Sequence, residues 1–140
     1  MAYGFLLDTD VISETAKPRP AEPVVAWLSN LDELALSAVS VYELARGVSR
    51  LRPGKRRQFL DAWLAELLQG SARTLPFDRD AALAASDLEA EARRQGRSIE
   101  TRDLFILATA KANRLALATR NTAHVAGFGI VVVDPFSAGS

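Results

Sequence analysis

The chain lacks cysteine, contains a single histidine and has no long apolar run. The absence of cysteine excludes disulfide bonds, zinc–thiolate sites and thiol catalysis. No segment reaches the length of uncharged apolar sequence that a membrane-spanning helix needs. No basic segment precedes the short apolar run at the N-terminus, as it would in a signal peptide. We therefore expect a cytoplasmic protein that does not associate with a membrane.

Net charge is also lacking, because 17 basic residues balance 17 acidic residues, so the protein as a whole does not attract nucleic acid. Basic residues nevertheless cluster without any acid at Arg46, Arg50, Arg52, Lys55, Arg56 and Arg57. Such a strip can bind a polyanion, but basic side chains are also common at the solvated C-terminal end of a helix. We favour the helix-end interpretation for residues 55–57. Polyanion binding is favoured for Arg46 and Arg50, one helical turn apart and near Glu43.

Apolar residues make up 49% of the sequence, which is sufficient for the core of one domain. Strands are predicted at 4–7, 34–37, 73–75, 115–119 and 130–133. Helices are predicted at 11–15, 23–28, 39–51, 57–68, 78–95 and 103–113. This alternation predicts an α/β protein, with a parallel sheet between helices on both faces. We expect a single domain of residues 1–136, followed by a flexible tail at 137–140.

Asp8 follows directly after the first predicted strand, the apolar segment 4–7. Binding sites of parallel sheets form beyond the carboxyl ends of the strands, which makes Asp8 a candidate site residue. An aspartate in this position can instead be the N-cap of the next helix. Asp10 is so close that two inward carboxylates would repel each other. We therefore assign Asp8 to the site and Asp10 to the cap of the helix at 11–15.

Glu43 lies in a helix pattern whose apolar residues are Val41, Leu44, Val48 and Leu51. Most helical glutamates are exposed, which is the alternative interpretation. However, Ser40, Glu43 and Gly47 share a stripe beside the apolar face, and a mid-helix glycine costs about 1 kcal/mol relative to alanine. Closely packed backbone or a bound ligand would explain that glycine. Glu43 is therefore a second candidate site residue.

Asp103 shares the inward face of its predicted helix with Ile106 and Ala110. Its alternative role is to stabilise the first helical turn through the helix dipole. Buried carboxylates need a cationic partner, and a hard divalent metal ion is the simplest partner for several of them. We therefore predict that Asp8, Glu43 and Asp103 converge around such an ion.

The segment Thr119-Arg120-Asn121 follows another predicted strand. Thr119 can hydrogen-bond a carboxylate or phosphate, Asn121 can orient a carboxylate or water, and Arg120 can pair with either anion. The alternative is an ordinary turn, for which asparagine is well suited. His124 has no partner at metal-ligand spacing and is interpreted as an exposed loop residue, and Asp134 ends the last predicted strand.

Four segments, in this order and spacing, resemble the PIN domain, and more closely the VapC-type ribonuclease toxins of type II toxin–antitoxin pairs, in the branch that includes FitB. These segments are Phe5–Glu14, Ser37–Gly47, Asp103–Ala110 and Leu117–Thr122. The resemblance runs from about residue 5 to residue 135. It implies a three-layer fold with a five-stranded parallel sheet between helices.

The resemblance also assigns roles to individual residues. Asp8, Glu43 and Asp103 match the three principal acids of the family, and Asn121 lies where many PIN domains carry a fourth acid. Asp10 replaces a common asparagine, and His124-Val125 replaces the usual Asp-Phe of the toxins. Those two departures leave the three main acids in place.

The activity that this resemblance implies is RNA cleavage with Mg²⁺ or Mn²⁺ by a toxin. We expect Asp8 and Asp103 to bind the metal, and Glu43 to bind it or to orient the attacking water. The supporting residues are Thr119 and Asn121 for carboxylates and waters, and Arg46, Arg50 and Arg120 for RNA. The implied partners are a small antitoxin that covers the acidic pocket and a second copy of the chain in a homodimer, with a higher toxin–antitoxin assembly as a further expectation.

Two alternatives remain at this point. Leu7-Asp8-Thr9-Asp10-Val11 resembles the opening motif of haloacid-dehalogenase-type phosphatases, in which the first aspartate is the nucleophile. The chain lacks the paired acidic motif that such phosphatases carry after a later strand. The second alternative is a non-catalytic PIN-like module that binds RNA or protein.

Overall fold

A computed structural model describes residues 4–70 and 72–137 of the chain. In these ranges the strands are β1 (Phe5–Leu7), β2 (Leu34–Ser37), β3 (Ala72–Leu75), β4 (Ala116–Ala118) and β5 (Val132–Val133). The helices are α1 (Thr9–Glu14), α2 (Glu22–Ser29), α3 (Ala38–Ser49), α4 (Lys55–Gln69), α5 (Arg79–Arg94), α6 (Thr101–Ala112) and α7 (Thr122–Val125).

The five strands form one parallel sheet between two layers of helices. Successive strand residues point to opposite faces, so each face contributes to its own hydrophobic cluster. Leu6 and Leu117 pack with α5 and α6 on one face. Leu7 and Ala118 pack with α1, α2 and α3 on the other. The predicted three-layer α/β fold with five parallel strands is therefore confirmed.

The strand order β3-β2-β1-β4-β5 places a switch point in the middle of the sheet. From β1 the chain proceeds through β2 to β3 at one edge, and then returns to the opposite side of β1 as β4. Leu7 is paired with Ala118, and the backbone N–H of Asp8 donates to the carbonyl of Ala118 over 2.9 Å. The residues that follow β1 and β4 therefore meet where ligands bind in sheets of this type.

The strands and helices begin and end within two residues of their predicted bounds, and one further helix was not predicted. Residues 122–125 form the short helix α7, so His124 is helical rather than part of a loop. Helix α4 contains no fully buried residue, because it contacts the core only through half-buried side chains such as Trp63. Phe59 and Leu68 of this helix are 58% and 42% exposed.

The predicted flexible tail at 137–140 falls largely outside the described residues, which end at Ser137. Within the described ranges, no helix is both long enough and apolar enough to cross a membrane.

Candidate functional site

Asp8 is 4% exposed at the carboxyl end of β1, and both of its carboxylate oxygens accept hydrogen bonds. Oδ1 accepts from the backbone N–H of Thr9 over 2.7 Å and from Nη2 of Arg102 over 2.8 Å. Oδ2 accepts from the hydroxyl of Thr119 over 2.8 Å. These donors satisfy a carboxylate that would otherwise be costly to bury.

The carboxylate of Glu43 is held between helices α1 and α3. The hydroxyl of Thr9 donates to Glu43 Oε1 over 2.6 Å and lies 2.9 Å from the hydroxyl of Ser40. Ser37, which ends β2, accepts from the backbone N–H of Ser40 and is the N-cap of α3. The short connection from strand to helix therefore fixes the start of α3, and with it the direction of Glu43.

Arg102 joins the three predicted site acids. Its Nε donates to Glu43 Oε2 over 2.6 Å, its Nη1 to Asp103 Oδ1 over 2.7 Å, and its Nη2 to Asp8 Oδ1 over 2.8 Å. We refer to Asp8, Glu43 and Asp103 as the acid cluster. Burial opposes the charge of Arg102, but its hydrogen bond to Glu43 and the charge of Asp8 raise the pKa of the guanidinium above its ordinary value.

Asp103 lies in the first turn of α6 and also faces a cleft next to the acid cluster. The cleft has a volume of about 390 Å³ and is lined in part by Glu100, Asp103 and His124. Nδ1 of His124 lies 4.0 Å from Asp103 Oδ2, and the His124 side chain is 67% exposed. The cleft gives solvent, and any ligand of similar size, a route to Asp103.

The assignment of Asp10 as helix cap was wrong. Helix α1 begins at Thr9, and Asp8 is its N-cap while also belonging to the acid cluster. Oδ2 of Asp10 accepts from the backbone N–H of Arg120, and Oδ1 is buried without a hydrogen-bond partner among the described residues. Burial and the nearby charge of Asp8 raise the pKa of Asp10 to about 6.

The Thr119-Arg120-Asn121 segment reaches the acid cluster mainly through Thr119, which is 1% exposed. The backbone N–H of Asn121 donates to the Thr119 hydroxyl over 3.1 Å. The guanidinium of Arg120 lies 4.2 Å from the ring centre of Phe136 rather than on an acid. Asp134 accepts from the backbone of Phe136 and from Ser137, so it stabilises its own turn.

Arg46 is exposed on α3 and Arg50 is exposed at the C-cap of this helix, both beyond Glu43. A Cβ atom added at Gly47, between them, would have no atom of the described structure within 4 Å. Closely packed backbone therefore does not explain this glycine. The surface that runs from Glu43 to Arg50 is open and basic at its far end.

The acid cluster fits a divalent cation in chemistry and in charge. Its carboxylate oxygens are the hard ligands that Mg²⁺ and Mn²⁺ prefer. When all three acids are ionised, Arg102 leaves them with a formal charge of −2. Within the described ranges, however, no group of three acidic or histidine side chains has the arrangement that would hold a metal ion. The guanidinium lies at the position where the three carboxylates meet.

Sequence reasoning did not identify Arg102 as a site residue. An arginine beside Asp103 at the start of a helix carries no local signal of burial, and its partners Glu43 and Asp8 are 59 and 94 positions away. The indirect signal was charge balance, because three converging acids require a cation.

Comparison with known proteins agrees with this architecture. The model of the PIN domain family matches residues 5–126, and the chain belongs to this family. Toxin FitB of Neisseria gonorrhoeae is 38% identical over 135 residues, which cover 94% of this chain and 97% of FitB. The VapC ribonuclease Y4jK of Sinorhizobium fredii is 39% identical over 135 residues, which cover 94% of this chain and 96% of Y4jK. The predicted relationship to FitB and VapC toxins is confirmed.

A solved structure of FitAB bound to an IR36 DNA fragment contains a chain of the same fold. It superposes with a TM-score of 0.86 at 34% identity, and the match covers 97% of this chain and 98% of that one. The similarity therefore extends over the whole sheet and both helical layers.

Proposed function

We propose that this protein is a metal-dependent endoribonuclease that hydrolyses RNA phosphodiester bonds at the acid cluster, and that it is the toxin of a toxin–antitoxin pair. The observation that carries the proposal is the convergence of three carboxylates, from three separate elements, beside the switch point of the sheet. Membership of the PIN family and the names of the similar toxin and ribonuclease support the same activity. They argue against the phosphatase alternative.

Mg²⁺, or Mn²⁺ in its place, is the cofactor that this activity requires. When bound, it would supply positive charge beside the attacked phosphate and lower the pKa of a water molecule. Asp8 and Asp103 would hold it through their carboxylates, and Glu43 would join them or orient the attacking water. Without a cation, the acid cluster would repel the phosphodiester.

The surrounding residues would keep the acids in position and bind the substrate. Thr119 fixes one oxygen of Asp8, and Thr9 fixes one oxygen of Glu43, so both carboxylates present their other oxygen to the centre. Asn121 would orient a carboxylate or water near Thr119. The residues proposed to contact the RNA backbone are Arg46, Arg50 and Arg120.

The partners follow from the relatives. A chain of the same fold occurs in the FitAB complex bound to DNA, which supports a partner protein for this chain. We propose that this partner is a small cognate antitoxin that covers the acid cluster. We propose that this chain also forms a homodimer. Light scattering of the isolated chain measures its oligomeric state.

A cleavage map against total cellular RNA tests the activity directly. The full chain is expected to cut RNA with Mg²⁺, to stop in excess EDTA, and to recover when Mg²⁺ is restored. Equal cutting in excess EDTA would refute the metal-dependent scheme. If the chain neither cuts RNA nor binds Mn²⁺ at millimolar concentration, a non-catalytic binding module would be favoured. The ion pairs of Arg102 are consistent with such a module, because they neutralise part of the acidic charge without a metal ion.

A further inference from the structure

The three nitrogen atoms of the Arg102 guanidinium each donate to a different carboxylate of the acid cluster. Arginine more often forms a two-pronged pair with a single carboxylate. Arg102 therefore occupies a shared position rather than belonging to one acid. Its side chain is 32% exposed, so protein does not enclose it on every side.

The carboxylate oxygens that Arg102 binds are those that point to the centre of the cluster. The second oxygen of Asp8 is held by Thr119, and the second oxygen of Glu43 is held by Thr9. A cation held by Asp8 and Asp103 would therefore need Asp8 Oδ1, an oxygen atom that Arg102 already binds. If Glu43 joined it, the cation would also need Glu43 Oε2, which Arg102 binds as well. Simultaneous binding would also place a divalent ion next to a guanidinium charge, which is repulsive.

We propose that Arg102 is a built-in counter-cation, which closes the acid cluster in the metal-free protein and is displaced when a divalent metal ion binds. This inference rests on the proposed metal-dependent function and adds a regulation of that site. Arginine keeps its charge at ordinary pH, so a competing cation rather than loss of a proton is what releases it. The partly exposed side chain has room to move away from the cluster.

Displacement has a measurable consequence, because metal binding must break three charge-assisted hydrogen bonds. The native chain therefore binds the ion more weakly than the acid cluster alone would. Metal-free protein, in turn, depends on Arg102 to offset the repulsion among the three carboxylates. Replacement of Arg102 by glutamine should therefore change metal affinity and metal-free stability in opposite directions.

Calorimetric titration of the full chain with Mn²⁺ is the first test. Arg102→Gln is expected to bind Mn²⁺ about tenfold more tightly than the native chain, because partly exposed ion pairs no longer compete with the metal ion for the carboxylates. Arg94→Gln is the matched control. It removes the same charge from α5 and breaks only an exposed ion pair with Glu91, not a hydrogen bond to the acid cluster, so its Mn²⁺ affinity should change by about twofold or less.

Thermal unfolding is the second test. In EDTA the midpoint of Arg102→Gln should fall below that of the native chain, and Mn²⁺ should raise it by more than it raises the native midpoint. Arg102→Lys, which keeps the charge but loses the planar arrangement of donors, should lie between the two in both measurements. A glutamine variant that folds only with Mn²⁺ would agree with the proposal.

Equal or weaker Mn²⁺ binding by Arg102→Gln would overturn the proposal, since Arg102 would then be a permanent support of the site rather than a competitor. That result leaves the proposed nuclease function intact if the native chain still requires a metal for RNA cleavage. Failure of both chains to bind Mn²⁺, with RNA cleavage that resists EDTA, would instead overturn both proposals.

Discussion

The hydroxyl of Thr119 donates a 2.8 Å hydrogen bond to Asp8 Oδ2 and thereby joins residues 111 positions apart in the chain. Both residues are nearly inaccessible to solvent, and they follow the adjacent strands β1 and β4. The bond leaves Asp8 Oδ1 directed toward Arg102 and the other acids. The switch point of the sheet therefore determines the orientation of the carboxylate on which the proposed chemistry depends.

Thr119→Val tests the importance of this bond, because it replaces the hydroxyl by a methyl group of similar size. The buried Asp8 oxygen would lose a donor, which should lower the free energy of unfolding by about 1–3 kcal/mol. RNA cleavage should fall as well, since the carboxylate is no longer held. Urea unfolding and cleavage rates are compared with Thr119→Ser, which keeps the hydroxyl. Equal stability and activity of the valine variant would contradict the assigned role.

The proximity of the three acids was predictable because they stand in unusual sequence positions. Asp8 follows a buried strand, Glu43 borders an apolar helix face, and Asp103 shares an inward face with Ile106. Periodicity and strand order bring such positions to one edge of a parallel sheet. The short helix α7 escaped prediction because four residues are too few to establish a helical period.

Asp8→Asn should abolish most RNA cleavage while preserving the fold. An asparagine has the same shape and can still accept from Arg102 and Thr9, but it lacks the negative charge that a metal ion requires. Loss of a group that only supports a metal ligand costs about 10- to 100-fold in activity. Because Asp8 is itself a proposed ligand, we expect cleavage to decrease by more than about 100-fold. Circular dichroism checks the fold, and full activity would remove Asp8 from the mechanism.

Asp10→Asn should make stability less dependent on pH. The folded-state pKa of about 6 lies above the ordinary value of 3.8, so the folded protein binds this proton more tightly than the unfolded chain. That stabilisation is complete below about pH 4 and is lost as the pH rises through about 6. The neutral asparagine should therefore gain about 1 kcal/mol over the native chain at pH 7–8, allowing for screening by solvent.

Denaturant unfolding in EDTA, from pH 4 to pH 8, measures this difference. The advantage of the asparagine variant should grow with pH across the window between 4 and 6 and then level off. A constant difference between the two chains at every pH would mean that Asp10 titrates normally in the folded protein.

Arg46→Gln combined with Arg50→Gln should weaken RNA binding without disturbing the acid cluster. Both side chains are exposed, so stability should change little. If each contacts one phosphate of a single strand, the slope of log affinity against log salt should decrease by about 1.4 in total. RNA binding by the Asp8→Asn background, measured at several salt concentrations, gives this slope without cleavage. An unchanged slope would place the RNA elsewhere.

The role of Arg102 was not predictable from the local sequence, for a physical reason. Two of its three ion pairs join α6 to Glu43 of α3 and to Asp8 at the N-cap of α1, and these two exist only after the sheet has aligned the elements. The wrong assignment of the helix cap to Asp10 has a similar origin. One side chain caps α1 and faces the site at the same time, a double role that spacing alone does not distinguish.

The most direct test of the account is a crystal structure of the full chain soaked in Mn²⁺, with the metal located by its anomalous scattering. We expect a peak at coordination distance from the carboxylates of Asp8 and Asp103, with the Arg102 guanidinium moved away from Asp8 Oδ1. An anomalous map without a peak at these carboxylates, from crystals that still cleave RNA on dissolution, would contradict the proposal that the acid cluster is the metal-dependent centre.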